Sequence, residues 1–221
     1  MEAVLKIGGS LAEYPASLRR LCKELVSFSK DYEILVVPGG GKFADVVRNF
    51  DKNYNLSNTL THKMAILAMD QFGLFLSDIT PNSYVSHSLE KVKNPPRGTL
   101  PIFLPSRFIL RMDTLESSWN VTSDSITAYI AAMLHARKLI LVTDVDGIFT
   151  ANPKKNLNAE LIAEVSAKQL LSSNKRTSVD QTLPKILLKT KLDCYVIGGK
   201  HPKRIRAVLE NQKSVYTHIT V

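Results

Sequence analysis

One lysine stands inside an apolar, strand-like run and is followed at once by a glycine pair and a serine, "LKIGGSL" (5–11). An ammonium in that setting loses hydration unless it meets an anion. Lys6 with Gly8, Gly9 and Ser10 therefore points to phosphate: glycines let backbone N–H groups approach an oxyanion, and the lysine neutralises it. For Lys6 alone, a strand-end lysine reaching back to water is the simpler reading. A second glycine run follows the next apolar stretch, "EILVVPGGGKFADVV" (33–47), with Gly39, Gly40 and Gly41 before Lys42. A Walker loop would need glycine where Val36 stands and a hydroxyl where Phe43 stands, so Lys42 is not a Walker lysine. Gly39, Gly41 and Ala44 fit the dinucleotide fingerprint, but that pattern expects a second strand ending in an acid ~20 residues later. The chain there reads "THKMAILAMDQFG", a helical pattern, which counts against a nicotinamide cofactor.

Three further clusters follow. In "WNVTSDSITAYIAAML" (119–134), Ser123 and Asp124 open a helix, where the positive helix end stabilises a carboxylate. A plain cap is the alternative. In "LILVTDVDGIFTANP" (139–153), a strand ends in Thr143, Asp144 and Asp146, then Gly147, Phe149 and Pro153. Ligands of open α/β sheets gather at the carboxyl ends of strands, and two carboxylates there suit ribose hydroxyls or magnesium. An Asp-Gly turn is the bland alternative. In "TSVDQTLPKILLK" (177–189), Lys185 follows Pro184 at a helix start and can project into a cleft.

The elements that must position these groups are legible from periodicity. Short apolar runs at 3–7, 33–37, 101–104, 138–143, 194–197 and 215–221 read as strands. Amphipathic stretches at 15–29, 42–51, 57–75, 123–136, 184–192 and 202–210 read as helices. Their alternation predicts an α/β sheet covered by helices on both faces. The proline-bearing segment 81–100 has the weakest pattern and is open to a loop, an irregular strand pair or a lid. A join between two halves is expected near 112–121.

The 221 residues include 29 Lys+Arg and 20 Asp+Glu, a formal charge of +9, but the basic residues are spread along the chain with little aromatic interleaving. That dispersion argues against nucleic acid and for anionic metabolites or a merely basic surface. The two cysteines, Cys22 and Cys194, are too few for a disulfide framework or metal cluster. No basic-then-apolar leader precedes the first strand, and no window reaches the ~18 apolar residues of a membrane helix. The expected compartment is the cytoplasm, with no membrane partner.

In order along the chain, K-x-G-G-S, G-G-G, S-D at a helix start, T-D-V-D-G-I-F and P-K at a helix start together resemble the amino acid kinase superfamily. The resemblance runs from Lys6 to Val221. It implies a three-layer α/β/α sandwich with a largely parallel central sheet, in a single domain over 1–221. An N-terminal half (about 1–118) would take the phosphoryl acceptor and a C-terminal half (about 119–221) would bind ATP. Lys6 and Lys185 would brace the transferring phosphoryl group, with Asp124 holding both. Gly8, Gly9, Ser10, Gly39, Gly40 and Gly41 would supply N–H donors. Thr143, Asp144, Asp146, Gly147, Phe149 and Pro153 would form the nucleotide segment, with Mg2+ accompanying ATP and no dedicated protein metal site. One departure stands out: the family often has G-G-M before the second lysine, whereas Asp180, Gln181, Thr182 and Leu183 stand here. Dimers or larger homo-oligomers are usual in the family.

Within the superfamily, "VVPGGGKFADVVR", "W.VTSDS" and "HPKRI" are most similar to the branch acting on (5-(aminomethyl)furan-3-yl)methyl phosphate, a small phosphate monoester. Isopentenyl phosphate, UMP, a carboxylate acceptor or a non-enzymatic anion binder are the alternatives. An aminomethyl cation would need an acid or other acceptor group. Asp45, His62 and Asp70 are the candidates, beside Ser123, and the eight-residue spacing of His62 and Asp70 puts them on one helix face. For each, an exposed helix acid or a surface histidine is the simpler reading.

Overall fold

The structure, a computed structural model, describes residues 1–112, 116–173 and 178–221. Part of the expected join at 112–121, and Thr177 of the Lys185 stretch, lie outside the described residues. The strands are β1 (Ala3–Ile7), β2 (Ile34–Pro38), β3 (Ser83–Ser86), β4 (Leu100–Phe103), β5 (Lys138–Thr143), β6 (Ile148–Phe149), β7 (Leu161–Ile162), β8 (Glu164–Ser166), β9 (Asp193–Gly198) and β10 (Thr217–Thr220). The α-helices are α1 (Pro15–Phe28), α2 (Gly41–Tyr54), α3 (Asn58–Asp78), α4 (Leu89–Lys93), α5 (Ser106–Met112), α6 (Ser123–Met133), α7 (Ala167–Ser172), α8 (Leu183–Thr190) and α9 (Lys203–Leu209). A short 3-10 turn, Gly9–Glu13, joins β1 to α1.

Eight strands form one sheet in the order β3-β4-β2-β1-β5-β9-β10-β8, and only the β9–β10 pairing within it is antiparallel. The expected largely parallel sandwich is therefore present. Side chains alternate between the two faces of each strand, so even- and odd-numbered residues of β1 feed different cores. Val4, Leu35, Leu139 and Val196 pack on one face against α3, α6 and α8, while Leu5, Ile34, Ile140 and Ile197 pack on the other against α1 and α9. Lys6 shares the face of Val4, the one that α6 covers. β1 is central, with β2 on one side and β5 on the other, so three carboxyl ends open side by side. In open α/β sheets this is where ligands bind.

Residues 81–100 are not an irregular strand pair. They form the edge strand β3, parallel to β4, and the helix α4, capped by the Ser88 side chain. No helix among the described residues is long and apolar enough to cross a membrane.

Candidate active site

The side chain of Lys6 leaves β1 between two glycine turns. A Cβ built on Gly39 would meet its Cε at 3.4 Å, and one on Gly8 its Nζ at 3.7 Å. Nζ ends 2.9 Å from Asp124 Oδ1, at the start of α6. Asp124 is buried and Lys6 nearly so, and among the described residues Oδ1 has the Lys6 ion pair but no hydrogen bond of acceptable geometry, so this oxygen keeps an open lone pair. A buried acceptor left so is rare and marks a place where a further donor fits.

The two glycine turns touch. A Cβ on Gly9 would lie 2.1 Å from Gly41 Cα, and Gly41 itself has φ +54, a conformation glycine adopts freely. The first helical bonds run from Leu11 N to Gly8 O and from Ala44 N to Gly40 O. The N–H groups of Gly9, Ser10 and Gly41 thus precede the first bond of each helix and are left over for a ligand. Gly8 and Gly39 differ: their N–H groups donate to Val142 O and Ile7 O, each at 2.8 Å. Those two glycines make room, for Val142 and for the Lys6 stem, and they have no N–H to offer a phosphate.

Beyond β5 lies a cavity of about 740 Å³ lined by Thr143, Asp144, Gly147, Phe149 and Pro153, with Lys154 and Gln169 among the other walls. Asp144 is ion-paired to Lys154, and Asp146 to Arg204 at 2.6 Å. Burial pushes the Asp144 carboxyl up, but the bond and charge of Lys154 outweigh it and hold Asp144 below the usual carboxylate range. The same bond raises Lys154. Among the described residues no three His, Cys, Asp or Glu side chains cluster to hold a metal ion.

A second cavity, of about 50 Å³, is lined by Gly40, which follows β2, with Arg48, His62, Trp119 and Ser123. The Arg48 guanidinium lies 4.8 Å from the Trp119 ring centroid, and the indole N–H donates to Asp51 at 2.8 Å. His62 is 9% exposed, also lines a neighbouring cavity of about 320 Å³, and is held below its ordinary pKa by burial. Asp45 is exposed and pairs with Arg48 at 2.7 Å. Asp70 is buried and faces α5, accepting from the N–H of Ser106 at 3.1 Å and from its hydroxyl. The shared helix face of His62 and Asp70 is real, but their side chains serve different neighbours.

Lys185 is exposed in the first turn of α8, and no ion pair joins it to Asp124 among the described residues. The residue that does join α6 to α8 is Asp180, which the sequence presented only as a departure from G-G-M. Arg48, Trp119 and Lys154 also lay outside the sequence-level set. An Asp three residues before a Leu-Pro helix start is a capping signal that would have found Asp180.

The family profile "Amino acid kinase family" matches residues 1–196. The chain belongs to the amino acid kinase family. It is 38% identical over 98% of its length, and 96% of the relative's, to a [5-(aminomethyl)furan-3-yl]methyl phosphate kinase of Methanocaldococcus jannaschii. It is 27% identical, over 96% of each chain, to a uridylate kinase of Pyrococcus abyssi. The crystal structure of uridylate kinase from Archaeoglobus fulgidus superposes with a TM-score of 0.77 at 24% identity, covering 100% of both chains, which shares the family fold.

Proposed function

We propose that this amino acid kinase family member transfers the γ-phosphoryl group of ATP to a small phosphate monoester, [5-(aminomethyl)furan-3-yl]methyl phosphate, giving its diphosphate. The observation that carries the reading is Lys6, paired with Asp124 where two glycine turns and α6 converge. The acceptor is taken from the Methanocaldococcus relative. ATP occupies the large cavity of the half at 119–221, and the acceptor lies toward the half at 1–118.

An acceptor phosphate has a second pKa of about 6, so its oxygen is largely ionised at neutral pH and needs no general base. The barrier then lies in bringing two anions together. Lys6 and the free N–H groups of Gly9, Ser10 and Gly41 neutralise them, already oriented, so no reorganisation is required as charge develops. Lys185 supplies the second ammonium, for which the open lone pair on Asp124 Oδ1 is the available partner. Thr143, Asp144 and Asp146 serve the nucleotide. Gly40, His62 and Ser123 line the acceptor side, whereas Asp45 and Asp70 are engaged by Arg48 and Ser106 and are left out of the acceptor set. Magnesium would come with ATP and supply charge neutralisation; Asp144 and Asp146, already paired with Lys154 and Arg204, offer it no preformed cage.

Self-association in an ATP-supplied cytoplasm completes this reading. Phe43, Val46, Phe50 and Tyr54 leave an exposed apolar row along α2. The test is ADP release with ATP and magnesium across the furan phosphate, isopentenyl phosphate, UMP and amino-acid acceptors. The highest kcat/KM is expected on the furan phosphate. A preference for UMP would reassign the acceptor, and no turnover of any would end the kinase reading.

A further inference from the structure

One half-buried carboxylate ties together the starts of α6, which bears Asp124, and α8, which bears Lys185. Asp180 Oδ2 accepts from Thr122 N and Thr122 Oγ1, each at 2.9 Å, and from Ser125 N at 3.0 Å. Its Oδ1 accepts from Ser125 Oγ at 2.5 Å, Thr182 N at 3.1 Å and Leu183 N at 2.8 Å. The first group is the N-terminus of α6, which bears Asp124 between Thr122 and Ser125. The second adds the Ser125 hydroxyl of α6 to the N-terminus of α8, Thr182 and Leu183, and α8 bears Lys185 two residues after Leu183. Thr122 in turn accepts from Asp124 N at 3.4 Å, so the carboxylate holds the cap of the helix that holds Lys6.

A surface cap needs one oxygen and one helix. Here both oxygens are filled by donors from two helices, and a second carboxylate, Asp124, lies close enough to act on the first. Burial first, and then the Asp124 charge, push Asp180 above the usual carboxylate range, while Ser125 and Thr122 oppose that rise. Keeping an acid beside another acid is costly, and here the donors of α6 and α8 offset that cost. A neutral side chain could not accept all six bonds, because an amide offers two donors and one oxygen.

We infer that Asp180 is a positioning residue for phosphoryl transfer: by fastening α8 to α6 it sets Lys185 at a fixed reach from the Lys6–Asp124 pair. The inference rests on the proposed role of the two lysines. It deepens that role by naming what keeps them in register, since Lys185 has no ion pair among the described residues. Displacements of about 1 Å between reacting groups can cost on the order of 100-fold in rate.

The test is a kinetic cycle on the full chain with ATP and the furan phosphate, comparing wild type, Asp180→Asn, Lys185→Ala and the double variant. Asp180→Asn is expected to lower kcat about 10- to 100-fold with KM for ATP within about threefold, because misplacement acts on the transition state. In the Lys185→Ala background the same change should cost less than about threefold, since there is no longer an ammonium to place. An equal loss in both backgrounds would make Asp180 a structural cap and overturn the inference while leaving the lysine roles standing. Normal turnover of Lys185→Ala would remove both. Should Asp180→Asn fail to fold, as judged by circular dichroism, Ser125→Ala removes one donor and keeps the carboxylate. It must show the same background dependence at smaller amplitude, and its absence counts against the inference.

Discussion

The two cavities proposed for nucleotide and acceptor are built on different principles. The one proposed for the nucleotide, about 740 Å³, is lined mostly by one segment, Thr143 to Lys154. The one proposed for the acceptor, about 50 Å³, takes its walls from α2, α3, α6 and the residues just before α2 and α6. The first is a site that a linear motif can describe. The second exists only after three helices have packed. On the proposed reading, a common donor is met by a site written in one stretch of chain, whereas acceptor choice is distributed over residues of three helices.

The largest expected effect would break the idea that both sides converge on one ammonium. Lys6→Ala should lower kcat by at least ~100-fold for every accepted acceptor, the scale for removing one oriented electrostatic donor. Near-normal turnover in a steady-state assay would dismiss Lys6 as the point of convergence. The comparison is sharpened by a crossed pair of variants. Arg48→Ala should raise KM for the acceptor about tenfold with KM for ATP unchanged, a stacked guanidinium contact being worth about 1–2 kcal/mol. Lys154→Ala should raise KM for ATP up to about fivefold with the acceptor KM unchanged, since its pair with Asp144 is partly solvent-screened. If either variant moves both constants alike, the cavities are not separate sites. The smallest kinetic effect is expected at Asp70. Asp70→Ala should lower unfolding free energy by about 2 kcal/mol, because the Ser106 donors lose their partner, and leave both KM values in place. Chemical denaturation and kinetics on the same preparation decide it, and a raised acceptor KM would return Asp70 to the acceptor set.

What the sequence made legible follows the same division. β1 and β5 match their expected ranges because buried parallel strands read as uninterrupted apolar runs, and the motifs at their carboxyl ends are contiguous. The edge strand β3 and the short α4 escaped a single reading because four or five residues cannot display a period. His62 and Asp70 show how spacing falls short: eight residues do put both on a buried face, but only packing says that Asp70 meets Ser106. Asp180 was visible as an oddity and became intelligible through donors 55 to 58 residues away. Arg48 and Trp119 lacked any local signal, since their contact spans α2 and a loop far along the chain.

The contact between Gly9 and Gly41 has a mechanical consequence. With 2.1 Å between a would-be Cβ and the opposite Cα, neither turn can move toward the other without the other yielding. The loops that follow β1 and β2 therefore share one contact surface. An anion seated on their free N–H groups would act as a rivet through two plates, stiffening the entrances of α1 and α2 in a single event. Its departure would loosen both at once.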